Sequence, residues 1–215
     1  MQESTITETD AIKACYTAIH TFFDVFDLPS ARKYILTSLL AANNNKLWKG
    51  QCPGDLIVFF EEFESLANAV KKIAACGCKR QSAIIQTGDE NNTPDYSRFE
   101  LYCRKTDRLV YRMYFPKYLS AKEFFNPYKA LKKAVWFLQA DDFNDLFEYI
   151  VQYALSYDSF TDASLEWDTL KINIMLQKLT EAAYLLLVRT HTKPGSLINT
   201  GGDKEENKNM NADRQ

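Results

Sequence analysis

The sequence TFFDVFDLPSARKYILTSLL, residues 21–40, decides the predicted fold, because a similar stretch follows 115 positions later. Five residues recur at this offset: Phe22 as Phe137, Asp27 as Asp142, Tyr34 as Tyr149, Ile35 as Ile150 and Leu40 as Leu155. Both stretches combine an aromatic helix end, an acidic residue in a capping position and an amphipathic helix. Amphipathic helices also resemble one another by chance, so the pattern leaves open whether the chain is a true internal duplication.

The composition indicates a folded, helix-rich chain. Of the 215 residues, 46% are hydrophobic and 13% are aromatic, whereas only 7 are Gly and 6 are Pro. A many-turned β fold needs more turn-forming residues than this. A chain of this length can bury one good core or two small coupled cores, and we expect one compact domain over residues 7–191.

The chain shows no sequence signal for export or membrane insertion. Its N-terminus lacks the basic start and apolar run of a signal peptide, and the apolar run at residues 182–188 is too short to cross a bilayer. The cysteines are odd in number and scattered, which does not indicate a disulfide framework; they are Cys15, Cys52, Cys76, Cys78 and Cys103. These features predict a cytoplasmic protein with reduced thiols and no membrane partner.

Three helices are predicted in residues 1–78, the N-terminal helical unit. Apolar residues recur at three- and four-residue steps from Ile12 to Phe26, the period of one helix face. Asp27 stands where it can cap a second helix. A third apolar run of the same period begins at Leu56.

The pattern changes in residues 79–116, which predict a loop followed by a basic β-hairpin. Apolar and polar residues alternate in residues 98–104 and again in residues 108–115. Alternation with a period of two is typical of a strand that is buried on one face and solvated on the other. Residues 105–107 would form the turn between the two strands.

A second helical unit is predicted over residues 117–191. Ser120 and Glu123 have the spacing of a capping box, and Asp142 can cap a further helix. The polar residues 192–215 predict a disordered tail. The predicted fold class is therefore mainly α, with two three-helix units joined by a β-hairpin and followed by that tail.

The formal net charge of −2 is distributed unevenly. Residues 71–135 carry 14 Lys and Arg against 6 Asp and Glu, whereas residues 1–70 carry 5 against 9 and residues 136–190 carry 3 against 9. A basic centre can bind nucleic acid or another anionic partner. It can equally dock on the acidic flanks of its own chain, and the sequence does not decide between these alternatives.

The hairpin and the segment after it form the candidate nucleic-acid-binding surface. Arginine pairs with phosphate groups, and tyrosine stacks on unpaired bases. The candidate residues are Arg98, Tyr102, Arg104, Arg108, Arg112, Tyr114, Lys117, Lys129, Lys132 and Lys133. A solvated hairpin that binds nothing would have the same composition.

No catalytic residue, metal site or cofactor is predicted. Cys76 and Cys78 lack the second pair that a structural zinc site requires, and neither His20 nor His191 has a catalytic partner at a telling spacing. Two acidic clusters fit a solvated helix face or helix start better than a metal site between the halves; they are Glu61, Glu62 and Glu64, and Asp141, Asp142 and Asp145.

The leading hypothesis is a non-enzymatic protein that acts by binding another protein or a second copy of itself. Phe23, Phe60 and Trp136 widen the apolar helix faces, which packing between the halves or a partner would explain. The alternative is a nucleic-acid-binding protein that uses the basic hairpin and the Lys-rich segment after it. An enzyme with its site between the halves is a third hypothesis.

Overall fold

Seven α-helices account for most of the chain that the structure describes. In this computed structural model the described residues are 8–44, 46–50, 52–75, 113–138, 143–160 and 168–191. The helices are α1 (Glu8–Val25), α2 (Leu28–Asn43), α3 (Pro53–Ala75), α4 (Ala121–Phe125), α5 (Pro127–Leu138), α6 (Phe143–Ala154) and α7 (Thr169–His191). The prediction of a mainly helical protein is confirmed. The second unit has four described helices instead of three, because Pro127 starts a new helix after Asn126.

Two of the predicted helix caps are present. Asp27 Oδ1 accepts a hydrogen bond from the backbone N–H of Ser30 at 2.8 Å and caps α2. Ser120 and Glu123 form a capping box at α4, in which the Glu123 carboxylate accepts from the Ser120 N–H at 2.9 Å. A cap of this kind contributes about 1 kcal/mol and fixes where its helix begins. The third predicted cap, Asp142, lies outside the described residues.

Helices from both halves of the chain share one apolar core. The ring of Phe22 in α1 lies 5.8 Å from that of Phe63 in α3, and Phe63 lies 5.3 Å from Phe147 in α6. Helices α5 and α7 join the same core through Leu131 and Leu176. All five side chains are buried, and burial of one such side chain contributes about 1.5–3 kcal/mol.

Helix α7 is enclosed by the rest of the fold. It contacts α1, α2, α3, α4 and α5, and residues 179–188 are all buried. It runs antiparallel to α2, because Gln177 Nε2 donates to the carbonyl of Arg32 at 3.0 Å and Thr169 Oγ1 donates to Asn43 Oδ1 at 3.2 Å. Along residues 179–188, where the helix is buried on every side, polar side chains must be satisfied inside the protein.

A buried ion pair joins α2 to α7 and to residues 113–120, hereafter the strap. Arg32 of α2 pairs with Glu181 of α7, and both side chains are buried. The Glu181 carboxylate also accepts hydrogen bonds from the backbone N–H groups of Lys117, Tyr118 and Leu119, at 2.8, 2.8 and 3.2 Å. These partners offset the large cost of removing a carboxylate from water.

The same arginine holds the beginning of the strap. Its guanidinium donates to the carbonyl oxygens of Met113 and Phe115, at 2.6 and 2.7 Å. The strap thus satisfies its backbone groups with side chains from two helices.

The predicted β-hairpin is wrong. None of the described residues lies in a β-strand, and Met113 and Tyr114, at the end of the second predicted strand, have a helical conformation. A strand must pair its backbone groups with a neighbouring strand, whereas Arg32 and Glu181 bind those of the strap. The rest of the predicted hairpin, residues 98–112, lies outside the described residues, as does the predicted tail at residues 192–215.

Two cations of α7 hold α4 in place. Lys178 Nζ lies 2.7 Å from Glu123 Oε2, and Arg189 donates to the carbonyl oxygen of Phe124 at 2.6 Å. Burial acts to raise the pKa of Glu123, but hydrogen bonds from Lys178 and Ser120 outweigh it and lower that pKa below its ordinary value. Glu123 therefore caps α4 and docks it on α7 at the same time.

Trp48 closes the loop between α2 and α3. Its indole lies 5.6 Å from the ring of Tyr34, its Nε1 donates to Thr37 Oγ1 at 2.9 Å, and its backbone N–H donates to the carbonyl of Ala154 at 2.8 Å. Gly50 lies so close to this indole that a Cβ atom there would be 1.7 Å from the ring. Glycine is needed at position 50 because the Trp48 ring fills the space of a side chain.

We expect Arg32→Met to destabilise the fold by about 3–5 kcal/mol, because Glu181 would remain buried without its cation. Chemical denaturation measures the change in the free energy of unfolding. Lys33→Met is the matched control, since Lys33 is exposed and surface substitutions usually change stability by less than about 0.5 kcal/mol. Equal stability of the two variants would contradict the role given to the ion pair.

We expect Gly50→Ala to displace the Trp48 indole and to cost about 1–3 kcal/mol, as overpacking commonly does. Denaturation and the NMR signal of the Trp48 indole N–H follow the two effects. In the control Gly54→Ala, the nearest atom to the new Cβ would be Cys52 Sγ at 3.6 Å, an ordinary contact. An unchanged Trp48 signal in Gly50→Ala would show that the indole does not pack on position 50.

Candidate binding face

Helix α5 presents three lysines and a tryptophan on its solvent side. Lys129, Lys132, Lys133 and Trp136 are all exposed, and their spacing of three and four residues puts them on one helix face. The opposite face is buried and consists of Tyr128, Ala130, Leu131, Ala134 and Val135. The core contacts of α5 therefore fix the direction in which the four exposed side chains project.

Trp136 is the most unusual member of this face. Its relative exposure is 76%, although tryptophan is on average a highly buried residue. The sequence predicted that Phe23, Phe60 and Trp136 widen the apolar helix faces, which either packing between the halves or a partner would explain. Phe60 is buried and Phe23 is half-buried, but Trp136 is left in contact with solvent.

The beginning of α7 extends this face. The ammonium of Lys171 lies 4.7 Å from the ring centroid of Phe137, which places the first turn of α7 beside the end of α5. Leu170, next to Lys171, is 70% exposed. We call the set Lys129, Lys132, Lys133, Trp136, Leu170 and Lys171 the α5–α7 face.

Helix α2 adds two exposed leucines at the border of this face. Leu36, Leu40 and Asn43 recur at helical spacing and so share one side of α2. Asn43 contacts Thr169, the residue before Leu170, and both leucines are exposed. The side of α2 that carries them therefore borders the first turn of α7.

The lysines of the α5–α7 face are not neutralised by the described part of the chain. Within the described ranges, none of Lys129, Lys132, Lys133 and Lys171 forms an ion pair. Asp168 lies at the edge of the face, but its carboxylate accepts a hydrogen bond from the backbone N–H of Lys171 at 2.9 Å, at the start of α7. Like charges at positions i and i+4 of a helix destabilise it by about 0.2–0.5 kcal/mol, so the Lys129–Lys133 pair carries a small cost in the fold itself.

Five of the ten predicted nucleic-acid-binding residues lie in the part of the chain that the structure describes. Lys129, Lys132 and Lys133 share the exposed side of α5, and Lys117 is exposed in the strap. The remaining predicted residues, Arg98, Tyr102, Arg104, Arg108 and Arg112, lie outside the described residues.

Tyr114, the other predicted base-stacking residue, is engaged inside the fold. Its hydroxyl donates to Asp27 Oδ2 at 2.9 Å, and its ring lies 6.1 Å from that of Tyr184. Both contacts hold Tyr114 against the start of α2 and the second half of α7. Tyr114 is therefore a structural residue of the strap.

The other candidate chemistry is not supported by the geometry of the described residues. These residues contain no group of three His, Cys, Asp or Glu side chains that could hold a metal ion. His20 Nδ1 lies 2.6 Å from Asp24 Oδ2 on the exposed side of α1, one turn away. Cys76 and Cys78 lie outside the described ranges, and none of the described helices is long and apolar enough to cross a membrane.

Sequence reasoning found Lys129, Lys132, Lys133 and Trp136 but missed Leu170 and Lys171 of the α5–α7 face. A signal for Trp136 was present, because it follows Lys129, Lys132 and Lys133 at intervals of seven, four and three residues. No comparable signal marks Leu170, since it joins the face only through the packing of α7 against α5.

We expect Tyr114→Phe to raise the pKa of Asp27. Partial burial acts to raise this pKa, but hydrogen bonds from Ser30 and Tyr114 outweigh it and lower the pKa below its ordinary value. Because the folded-state pKa is depressed, the contribution of Asp27 to stability is present above its unfolded pKa and is lost as the pH falls through the folded one. In Tyr114→Phe this loss starts at a higher pH.

An NMR titration of the Asp27 carboxyl carbon measures this shift. Tyr118→Phe is the control, because Tyr118 contributes its backbone N–H, and not its hydroxyl, to the strap contacts. An Asp27 pKa that is the same in Tyr114→Phe and in the unaltered protein would rule out the hydroxyl contact.

Comparisons with protein-family models, curated proteins and solved structures found no significant match to this chain. The function is therefore inferred from the α5–α7 face.

Proposed function

We propose that this chain is a cytosolic, non-enzymatic protein that binds another protein through the α5–α7 face. The observation that carries the proposal is the 76% exposure of Trp136 on a helix whose opposite face is fully packed. An exposed tryptophan on a rigid helix offers a large contact area that loses little conformational freedom on binding. Tryptophan is also among the residues that most often dominate the energy of protein interfaces.

The surroundings of Trp136 have the composition of a protein interface. Leu170 supplies a second exposed apolar side chain on the face, and Leu36 and Leu40 lie at its border. Lys129, Lys132 and Lys133 share the exposed side of α5 with Trp136, and Lys171 is next to Leu170 in the chain. An apolar centre with a charged rim is the usual arrangement of interfaces between proteins that also exist separately.

The same features favour a protein over a nucleic acid as the partner. The sequence pI is about 5.8 and the net charge is −2, whereas nucleic-acid-binding domains are commonly strongly basic. Tyr114, one of the predicted base-stacking residues, is held inside the fold by Asp27 and Tyr184. The cations of the α5–α7 face are lysines, which lack the planar fork with which arginine binds phosphate in a bidentate manner.

Self-association through this face is disfavoured by its charge. A two-fold symmetric dimer would place the same patch of both copies in contact. Lys129, Lys132 and Lys133 of one copy would then face the lysines of the other, and like charges across an interface are strongly unfavourable. The partner is therefore a different protein.

The proposal is tested with a photo-crosslinking amino acid in place of Trp136, in the cells that naturally make the protein. We expect a partner protein to be crosslinked from position 136 but not from Thr21, an exposed control position on α1. With that partner purified, Trp136→Ala should weaken binding by about tenfold or more, as expected when a central aromatic contact is lost.

Val25→Ala serves as the matched control for the affinity measurement. Val25 is also an exposed apolar residue, but it lies on α1. Trp136→Ala should leave the unfolding free energy almost unchanged, because the side chain is exposed. A partner that binds Trp136→Ala and Val25→Ala equally well would refute the proposed face, as would equal crosslinking from positions 136 and 21.

A further inference from the structure

The lysines of the α5–α7 face form a local concentration of positive charge on an otherwise acidic protein. Lys129 and Trp136 are separated by seven residues, which is about 10 Å along the helix. The Debye length at physiological salt is about 8 Å, so neighbouring lysines act together on a ligand that lies on the face.

Carboxylates near these helices are already used inside the fold. Glu123 is bound to Lys178 and Ser120, and Glu181 is bound to Arg32 and to the strap. Asp168 is held at the start of α7. The described carboxylates at α4 and α7 are thus occupied, and a carboxylate that approaches the α5–α7 face from outside would meet lysines that form no ion pair within the described part of the chain.

From this charge arrangement we infer that the partner contributes an acidic amphipathic segment, in which carboxylates alternate with apolar side chains. The apolar side chains contact Trp136 and Leu170, and the carboxylates lie against Lys129, Lys132 and Lys133. This inference rests on the proposed function and adds the chemistry of the partner. Charge complementarity of this kind mainly sets the association rate and the choice of partner.

A short acidic segment fits this surface better than an extended polyanion. The net charge of the chain is −2, so an extended polyanion gains no overall electrostatic attraction beyond the face. A peptide segment would contact only the face itself. The exposed apolar side chains also need a partner with apolar groups between its charges, which alternating acidic and apolar residues provide.

The experiment uses the full chain and a synthetic amphipathic peptide made of glutamate and leucine. The peptide contains no tryptophan, so every indole signal comes from the protein. The readout is the NMR signal of the Trp136 indole N–H, assigned with Trp136→Phe, since the chain has only 3 tryptophans. We expect the acidic peptide to shift the Trp136 signal but not the Trp48 signal. Raising the salt from ~10 mM to ~150 mM shortens the Debye length from about 30 Å to about 8 Å and should weaken binding.

Charge reversal tests the role of the lysines. Lys132→Glu combined with Lys133→Glu should lower the affinity for the acidic peptide by about tenfold or more. Lys13→Glu combined with Lys72→Glu changes the net charge by the same amount, at exposed positions on α1 and α3. This control should lower the affinity for the acidic peptide much less. Equal effects of the two double variants would mean that only net charge matters, and would overturn the inference.

Other probes separate this inference from its rivals. The same peptide with glutamine in place of glutamate should not bind. If it binds as tightly as the acidic peptide, the inference of an acidic partner is wrong, whereas the proposed protein-binding face stands. No shift of Trp136 with the acidic peptide at millimolar concentration would contradict the inference. Binding of single-stranded DNA or of phosphatidylserine vesicles in preference to the peptide would overturn both the inference and the proposed function.

Discussion

The arrangement of the described helices depends on one buried carboxylate. Glu181 is on the central helix α7, pairs with Arg32 of α2 and accepts three backbone N–H groups of the strap. A buried ion pair adds little net stability compared with an apolar replacement of the same volume, but it tolerates few alternative arrangements. Its contribution is therefore to fix how α2, α7 and the strap pack against one another. Because α5 follows the strap, the position of the exposed lysines depends on the same contact.

The strap and the α5–α7 face illustrate two ways of using charge. Inside the protein, Arg32 and Glu181 are desolvated, paired and surrounded by hydrogen-bond donors and acceptors, and they determine the structure. On the surface, Lys129, Lys132 and Lys133 remain solvated and make no ion pairs within the described part of the chain. Solvated charges contribute little to folding and are free to select a partner. Charged side chains of this protein therefore serve partly as structure and partly as surface.

The sequence predicted the helices well because their signals are local. The apolar period of α1, α2 and α3 and the caps at Asp27 and Ser120 depend on neighbours within a few residues. The strap could not be predicted in this way. The alternation that ends in Met113 and Phe115 resembles a strand, and only the distant Arg32 and Glu181 determine what its backbone binds. Nothing local distinguishes these two residues from surface charges, and the exposure of Leu170 likewise depends on how α7 meets α5.

The contacts of the strap also bear on which substitutions the chain can accept over time. Arg32 and Glu181 recognise Met113, Phe115, Lys117, Tyr118 and Leu119 by main-chain oxygen and N–H groups. A main-chain contact is indifferent to the side chain, so many amino acids are compatible with positions 117 and 118. Proline is the exception, because it has no N–H to donate. Pro116 lies between the carbonyl acceptors and the amide donors and donates no hydrogen bond. Relatives with diverged strap sequences would be expected to retain Arg32 and Glu181 and to lack proline at positions 117, 118 and 119.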